Sequence, residues 1–263
     1  EGFAEAAAVF TDDPDVQLRA GATLFEQGRY REALPYLALA VDLDPSSPVA
    51  LEYLVKAESK VGRADSAEWL MFEAIRDGIR PGVFHAVRGE HKMDAGIPGA
   101  AAGSFERALL LGRPEIPTRI RLADGLAAAG QTIRARMQYQ LAVSRRPSSA
   151  EARDALGRFY LATGEFERGV LELEEAVGLE PGEALYWNNL GAGLRMAGRP
   201  EDSLPAIEEA VRLDPLAPEP YYNRGLTLKA LGRTEEARRQ FLLALELDPQ
   251  YKPAVTALLS SSR

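Results

Sequence analysis

The chain has two histidines, His85 and His91, and no cysteine. Disulfides, thiolate nucleophiles and cysteine-ligated zinc are therefore excluded, and the lack of cysteine suits either side of a membrane. Six residues apart on one expected helix, the two imidazoles point to different faces, which argues against joint metal ligation. Gly191-Ala192-Gly193 followed by Gly198 approximates a dinucleotide fingerprint. Its third glycine is displaced and no strand precedes it, so these glycines are assigned to helix packing. Neither a GxxxxGK phosphate loop nor a GxSxG nucleophile elbow occurs in the sequence. The paired carboxylates Glu174-Glu175, Glu208-Glu209 and Glu235-Glu236 have arginines nearby, as on a hydrated helix face. The expectation is a chain with no catalytic residue, no metal site and no cofactor, whose chemistry is that of a surface.

That surface is set by 263 residues, 46% hydrophobic and 27% charged, a balance that folds rather than stays disordered. A net charge of -8 argues against a nucleic-acid coat or an anionic membrane surface as partner, since both demand a dense basic face. The longest apolar runs, such as Ala33 to Val41 with Pro35 inside it, fall far short of the roughly 20 residues of a membrane span. Arginine outnumbers lysine 26 to 5 beside abundant alanine and glycine, a composition of GC-rich bacterial genomes. The sequence begins on Glu1 without methionine, and is expected to be a piece of a longer chain.

The elements that carry the surface follow from a period. Gly28, Gly62, Gly96, Gly130, Gly164, Gly198 and Gly232 recur every 34 residues. Ala40, Ala74, Ala108, Ala142, Ala176, Ala210 and Ala244 keep the same step, as does a large apolar column from Leu37 through Met71, Phe105, Tyr139, Leu173 and Ile207 to Phe241. Within residues 184 to 217, Trp187, Leu190 and Leu194 have helical spacing, Gly198-Arg199-Pro200 interrupts it, and Leu204, Ile207, Ala210 and Val211 resume it. Each unit is thus predicted to be two antiparallel helices. Pro200 suits a first helical position, with Glu201 and Asp202 at the positive end of the helix dipole. Ser148 with Glu151 is expected to form a capping box, and Pro35 and Pro205 fall within second helices.

Trp187, Leu190-Gly191, Leu194, Ser203, Ile207, Ala210 and Pro215 together resemble the tetratricopeptide repeat, over nearly the whole chain. The resemblance implies an all-α, right-handed superhelical solenoid of antiparallel helix pairs. Its units would be residues 14–47, 48–81, 82–115, 116–149, 150–183, 184–217 and 218–251. Residues 1–13 would be the second helix of a truncated preceding repeat, and 252–263 a capping helix or truncated repeat. A pair of helices of this size cannot bury its apolar face alone, so each unit must stack on the next. In units two and three Glu58, Arg88 and Lys92 stand at expected apolar positions. Either Glu58 pairs with Lys92, or the first helix of unit three is shifted so that Met93 packs, which is the preferred expectation.

The resemblance also implies a concave groove lined by first helices, where a peptide or protein segment binds. Projected onto it, with Lys60 in the second unit, are Glu90, Asp94, Asp124, Asp154, Arg158, Asn188, Asn189, Arg195, Tyr222 and Asn223. The negative balance falls on units three to five, with Met93, Ile120 and Leu161 between the charges, so a basic or amphipathic segment is the expected occupant. Asn189 and Asn223 occupy the column whose amides bond peptide backbone in some relatives, although Arg19, Tyr53, Val87, Arg121 and Ala155 interrupt it. The family's carboxylate clamp needs Lys and Asn on one first helix; Leu18 with Ala22, Asp154 with Arg158 and Asn188 with Ala192 do not supply it. The function implied is a non-enzymatic interaction scaffold. The alternatives are a docking arm of an enzyme whose catalytic domain lies elsewhere, and end-to-end self-association through terminal repeats.

Overall fold

The computed structural model describes residues 12–79 and 81–260. The expected helix of residues 1–13 lies almost wholly outside them. Fifteen α-helices are present among the described residues, and no strand. They are α1 (Pro14–Glu26), α2 (Tyr30–Leu43), α3 (Pro48–Lys60), α4 (Ala64–Arg76), α5 (Pro81–Asp94), α6 (Pro98–Leu110), α7 (Glu115–Ala128), α8 (Thr132–Arg145), α9 (Ala150–Ala162), α10 (Phe166–Leu179), α11 (Ala184–Met196), α12 (Pro200–Leu213), α13 (Pro218–Ala230), α14 (Thr234–Leu247) and α15 (Lys252–Ser260). The chain divides into two compact units, residues 1–138 and 139–263, with the division inside α8. The architecture is an all-α helical repeat solenoid.

Each first helix stops at a glycine of the 34-residue column, whose φ lies between 73° and 84°. That left-handed conformation closes the helix and turns the chain back, which a residue with a Cβ does at a cost. Five of the second helices end in one of two ways. At Asp44, Asp214 and Asp248 a side-chain carboxylate accepts the backbone N–H two residues on, at 2.9–3.1 Å, around the following proline. After α4 and α6, Gly78 and Gly112 do the work instead, with φ of 74° and 79°, and the proline is absent.

One side chain in each of three units then ties this turn to the next helix. Trp187 Nε1 donates to the Pro181 carbonyl at 2.8 Å, Tyr221 Oη to Pro215 at 3.1 Å, and Arg153 Nε to Pro147 at 3.0 Å. The aromatic that opens the repeat is thereby given a polar task as well as a packing one.

Two local expectations are corrected. The cap of α9 is Ser149, whose hydroxyl accepts from Ala152 N at 3.2 Å, and not Ser148, because the helix begins one residue later than the box requires. The first helix of the third repeat is not shifted: α5 ends at Asp94, one 34-residue step after α3 ends at Lys60. Nor does Glu58 pair with Lys92. Arg88 and Lys92 both reach Glu68 on α4, each at 3.0 Å, and Glu58 meets Arg63 at 3.5 Å. Glu68 sits on the preceding second helix and can face two cations one turn apart on α5, which satisfies both without moving the helix. Pro35 and Pro205 each occupy the sixth position of their helix, on its exposed side, where water can serve the carbonyl they leave without a donor.

His85 on α5 is half-buried. Burial pushes its pKa down, and the neighbouring Arg88 and Arg107 push it further the same way. The folded chain therefore binds that proton less readily than the unfolded chain, so its neutral form supports the fold above the ordinary histidine pKa and that support fades as pH falls. Compared with His85→Gln, the wild-type chain is expected to lose melting temperature as pH is lowered from 7.5 to 5.5; parallel melting curves for the two proteins would contradict this.

Candidate functional sites

Within residues 1–138, the facing sides of α3, α5 and α7 enclose an open pocket of about 240 Å³. Lys60, Glu90, Met93, Asp94, Arg121 and Asp124 form its walls, and Phe105 of α6 its apolar floor. A smaller hollow of about 80 Å³ shares Lys60, Glu90 and Asp94 and reaches Phe25, Lys56 and Val87. Charges on the walls are partly spent on one another. Lys60 Nζ lies 3.2 Å from Asp94 Oδ2 across successive first helices, and Arg121 lies 3.9 Å from Asp124 one turn along α7. Glu90 is exposed and belongs to no ion pair among the described residues. Three carboxylates thus face two cations over a methionine and a phenylalanine, which suits a long side chain with an apolar stem and a positive head.

Within residues 139–263, the projected polar residues come together differently from the expectation. Asp154 is 3% exposed, so it is a bridge rather than a groove acid. Its Oδ1 accepts from Asn189 Nδ2 at 2.7 Å and its Oδ2 from Arg158 Nε at 2.8 Å. Asn188, 7% exposed, repeats the contact one unit later, its Oδ1 accepting from Asn223 Nδ2 at 2.9 Å. Both bonds span 35 residues, one period plus one, and each joins a first helix to the first helix before it. The amide donors of Asn189 and Asn223 are therefore committed to the protein. Tyr222 is half-buried against Phe241 and Tyr251, with ring centroids 5.9 and 5.7 Å away. Arg195 is half-buried on α11. Tyr186, beneath this layer, is pushed up to about 12 by burial and then by the carboxylates of Glu180, Asp154, Glu151 and Glu183, and stays a neutral phenol at ordinary pH. Ile120 and Leu161 are buried core residues, whereas Met93, the third apolar residue expected between the charges, lines the pocket.

Phe105 and Arg121 were not among the residues the sequence projects onto the groove, whereas Lys60 was, in its second unit. Lys60 and Asp94 are one period apart in a single column, so a solenoid places them beside each other, and their opposite charges were the available signal. Phe105 comes from a second helix and reaches the pocket past Gly89, a contact that no spacing within one helix announces. Among the described residues, no group of three or more His, Cys, Asp and Glu is placed to hold a metal ion, and no helix is long and apolar enough to cross a membrane.

A tetratricopeptide repeat model matches residues 2–48 and 188–252. No curated protein matches the chain. Among solved structures, TTC0263, a thermophilic protein of this repeat type from Thermus thermophilus, aligns with TM-score 0.61 and 21% identity, covering 68% of this chain and 98% of that one. A tetratricopeptide repeat protein from Parabacteroides merdae aligns over 95% of this chain and 99% of its own, with TM-score 0.71 and 14% identity. Yeast Tom70 aligns over 99% of this chain and 57% of its own, with TM-score 0.77 and 14% identity. At these identities the likeness is one of fold.

Proposed function

Because the chain belongs to the tetratricopeptide repeat family, we propose that it is a non-catalytic scaffold whose first compact unit binds an extended peptide presenting lysine or arginine. Proteins of this fold generally mediate protein–protein interaction, so the question for this chain is which segment it takes. The observation that carries the reading is Glu90, an exposed carboxylate with no ion-pair partner among the described residues, which lines one pocket together with the Lys60–Asp94 and Arg121–Asp124 pairs, Met93 and Phe105. A peptide cation at Glu90 supplies the missing charge, and its methylenes cover the apolar floor. The neighbouring hollow, which also contains Glu90 and Asp94, extends the trough toward Phe25 and so suits more than one peptide residue. The electrostatic part gives selectivity and encounter rate more than raw affinity, and weakens with salt.

The test is fluorescence anisotropy with a fluorescein-labelled peptide in which lysines alternate with leucine and alanine. Glu90→Lys replaces attraction with repulsion at a rim position and is expected to weaken binding about tenfold at low salt, or roughly 1.4 kcal/mol. Melting temperature should be unchanged, because the side chain is exposed. Equal binding of the lysine peptide and its glutamine counterpart would end the reading.

A further inference from the structure

Four closing prolines, Pro45, Pro147, Pro181 and Pro215, are each followed by a complete helix pair. Six residues after three of them, Arg153, Trp187 and Tyr221 donate to the proline carbonyl. Leu51 holds that place after Pro45. It has no donor and is shorter than an arginine or an aromatic, and the Pro45 carbonyl accepts no hydrogen bond among the described residues. Beside Leu51 and Pro45, the second helices α2 and α4 leave an open hollow of about 310 Å³. Leu51 and Leu54 of α3 are its buried floor, and Val41, Pro45 and Trp69 belong to its walls. A space at the lower end of the roughly 300–1,000 Å³ of ligand pockets suits one large side chain. Trp69 is exposed, and so large an apolar side chain beside an open apolar hollow marks a contact surface. Carboxylates surround it. Asp42 is exposed and in no ion pair among the described residues, while Glu73 and Asp77 share the single guanidinium of Arg76, at 2.5 and 2.8 Å.

We propose that this hollow is a second docking site, which takes a tryptophan side chain from a partner segment carrying lysine or arginine on either side of it. The indole does from outside what Trp187 does within its own repeat: its rings cover Leu51 and Leu54 against Trp69, and its N–H bonds the Pro45 carbonyl. The flanking cations answer Asp42 and the unbalanced pair Glu73 and Asp77, which selects the partner by charge and weakens with salt. The hollow is formed by second helices and the trough around Glu90 by first helices, so the one stands whether or not the other binds lysine peptides.

The experiment uses the whole chain, labelled with nitrogen-15, and three acetylated, amidated peptides: Ser-Lys-Trp-Lys-Ser, Ser-Lys-Leu-Lys-Ser and Ser-Glu-Trp-Glu-Ser. The indole N–H signal of Trp69 is assigned by its loss in Trp69→Phe, and that of Trp187, in the other compact unit, is the internal control. The lysine–tryptophan peptide is expected to shift the Trp69 signal and the amides of α2 and α4, to leave Trp187 unmoved, and to bind about tenfold more tightly than either of the other two. Leu51→Trp should plug the hollow from within and abolish this preference without lowering the melting temperature. Asp42→Lys, at an exposed position, should weaken the lysine–tryptophan peptide several-fold at low salt with melting unchanged, and it decides the matter should Leu51→Trp fold poorly. In Glu90→Lys the preference for tryptophan should persist, so failure of the hollow is separable from failure of the trough. Equal binding of the tryptophan and leucine peptides, a preference that survives in folded Leu51→Trp, or shifts confined to α3, α5 and α7 would each overturn the proposal. So would concentration-dependent broadening of the Trp69 signal without peptide, which would assign the hollow to a second copy of the chain.

Discussion

Phe105→Ala is expected to destabilise the chain by about 3–5 kcal/mol, the range for deleting a fully buried phenylalanine. The side chain is 1% exposed. Its ring lies so close to Gly89 that a Cβ built there would come within 2.6 Å of Cε1. The ring therefore fills the space the glycine leaves between α5 and α6, and it is also the floor of the trough beneath Met93. Removing it should leave a cavity, loosen the two helices and weaken the lysine peptide together with the fold. In a repeat protein such damage stays near its origin, because stability is summed over neighbours. Hydrogen exchange should accelerate in α5 and α6 well before α11 to α14. Gly89→Ala supplies the second half of the test. Alone it should cost about 1–3 kcal/mol by overpacking. In the Phe105→Ala background the same alanine has room and should cost little or even stabilise, since alanine is a better helix residue than glycine by about 1 kcal/mol. Additive effects of the two substitutions would show that the ring and the glycine are not one packing unit.

Gly157→Val should cost about 3 kcal/mol, at the upper end of ordinary overpacking. At this point α9 and α10 approach each other through glycine on both sides. A Cβ at Gly157 would sit 2.7 Å from Leu173 Cγ and 3.0 Å from the Gly169 carbonyl oxygen; one at Gly169 would sit 2.6 Å from Leu161 Cδ2 and 3.0 Å from the Gly157 carbonyl oxygen. Leu173 is fully buried and cannot swing aside, and a backbone oxygen moves only with its helix. A β-branched side chain has few rotamers with which to escape. Gly178, on the same α10, is the control of opposite sign. A Cβ there meets nothing within 4 Å, so Gly178→Ala should stabilise by about 0.5–1 kcal/mol. Urea melts of the two variants that moved in the same direction would refute the distinction between a glycine kept for close approach and one that is not.

The turns were legible because they are local. A glycine every 34 residues predicts a left-handed stop at each step, and each of the seven has it, since the conformation depends on the residue itself and its nearest neighbours. The helices between them follow from apolar spacing for the same reason. The second glycine column, at Gly21, Gly89, Gly157, Gly191 and Gly225, was visible too but broken by Val55 and Ala123. Its meaning lies in the facing residues Leu37, Phe105, Leu173, Ile207 and Phe241, which only a folded pair brings within reach.

The site was less legible than the fold, and Asp154 shows why. As a column position it is one more acid on a first helix; in the folded chain Arg158 from its own helix and Asn189 from the next first helix enclose it, and its charge is no longer offered to a ligand. Glu68 likewise claims Arg88 and Lys92 from a neighbouring helix, a pairing that the choice between Glu58 and a shifted helix did not include. By itself, the sequence determined the period, the helix pairs and the class of protein, because these rest on spacing along one chain. Which charges are spent and which are left, Glu68 between two cations and Glu90 exposed, was decided by tertiary packing. An ion pair depends on where side chains from different helices end, and a 34-residue period fixes which helices are neighbours but not which of their side chains meet.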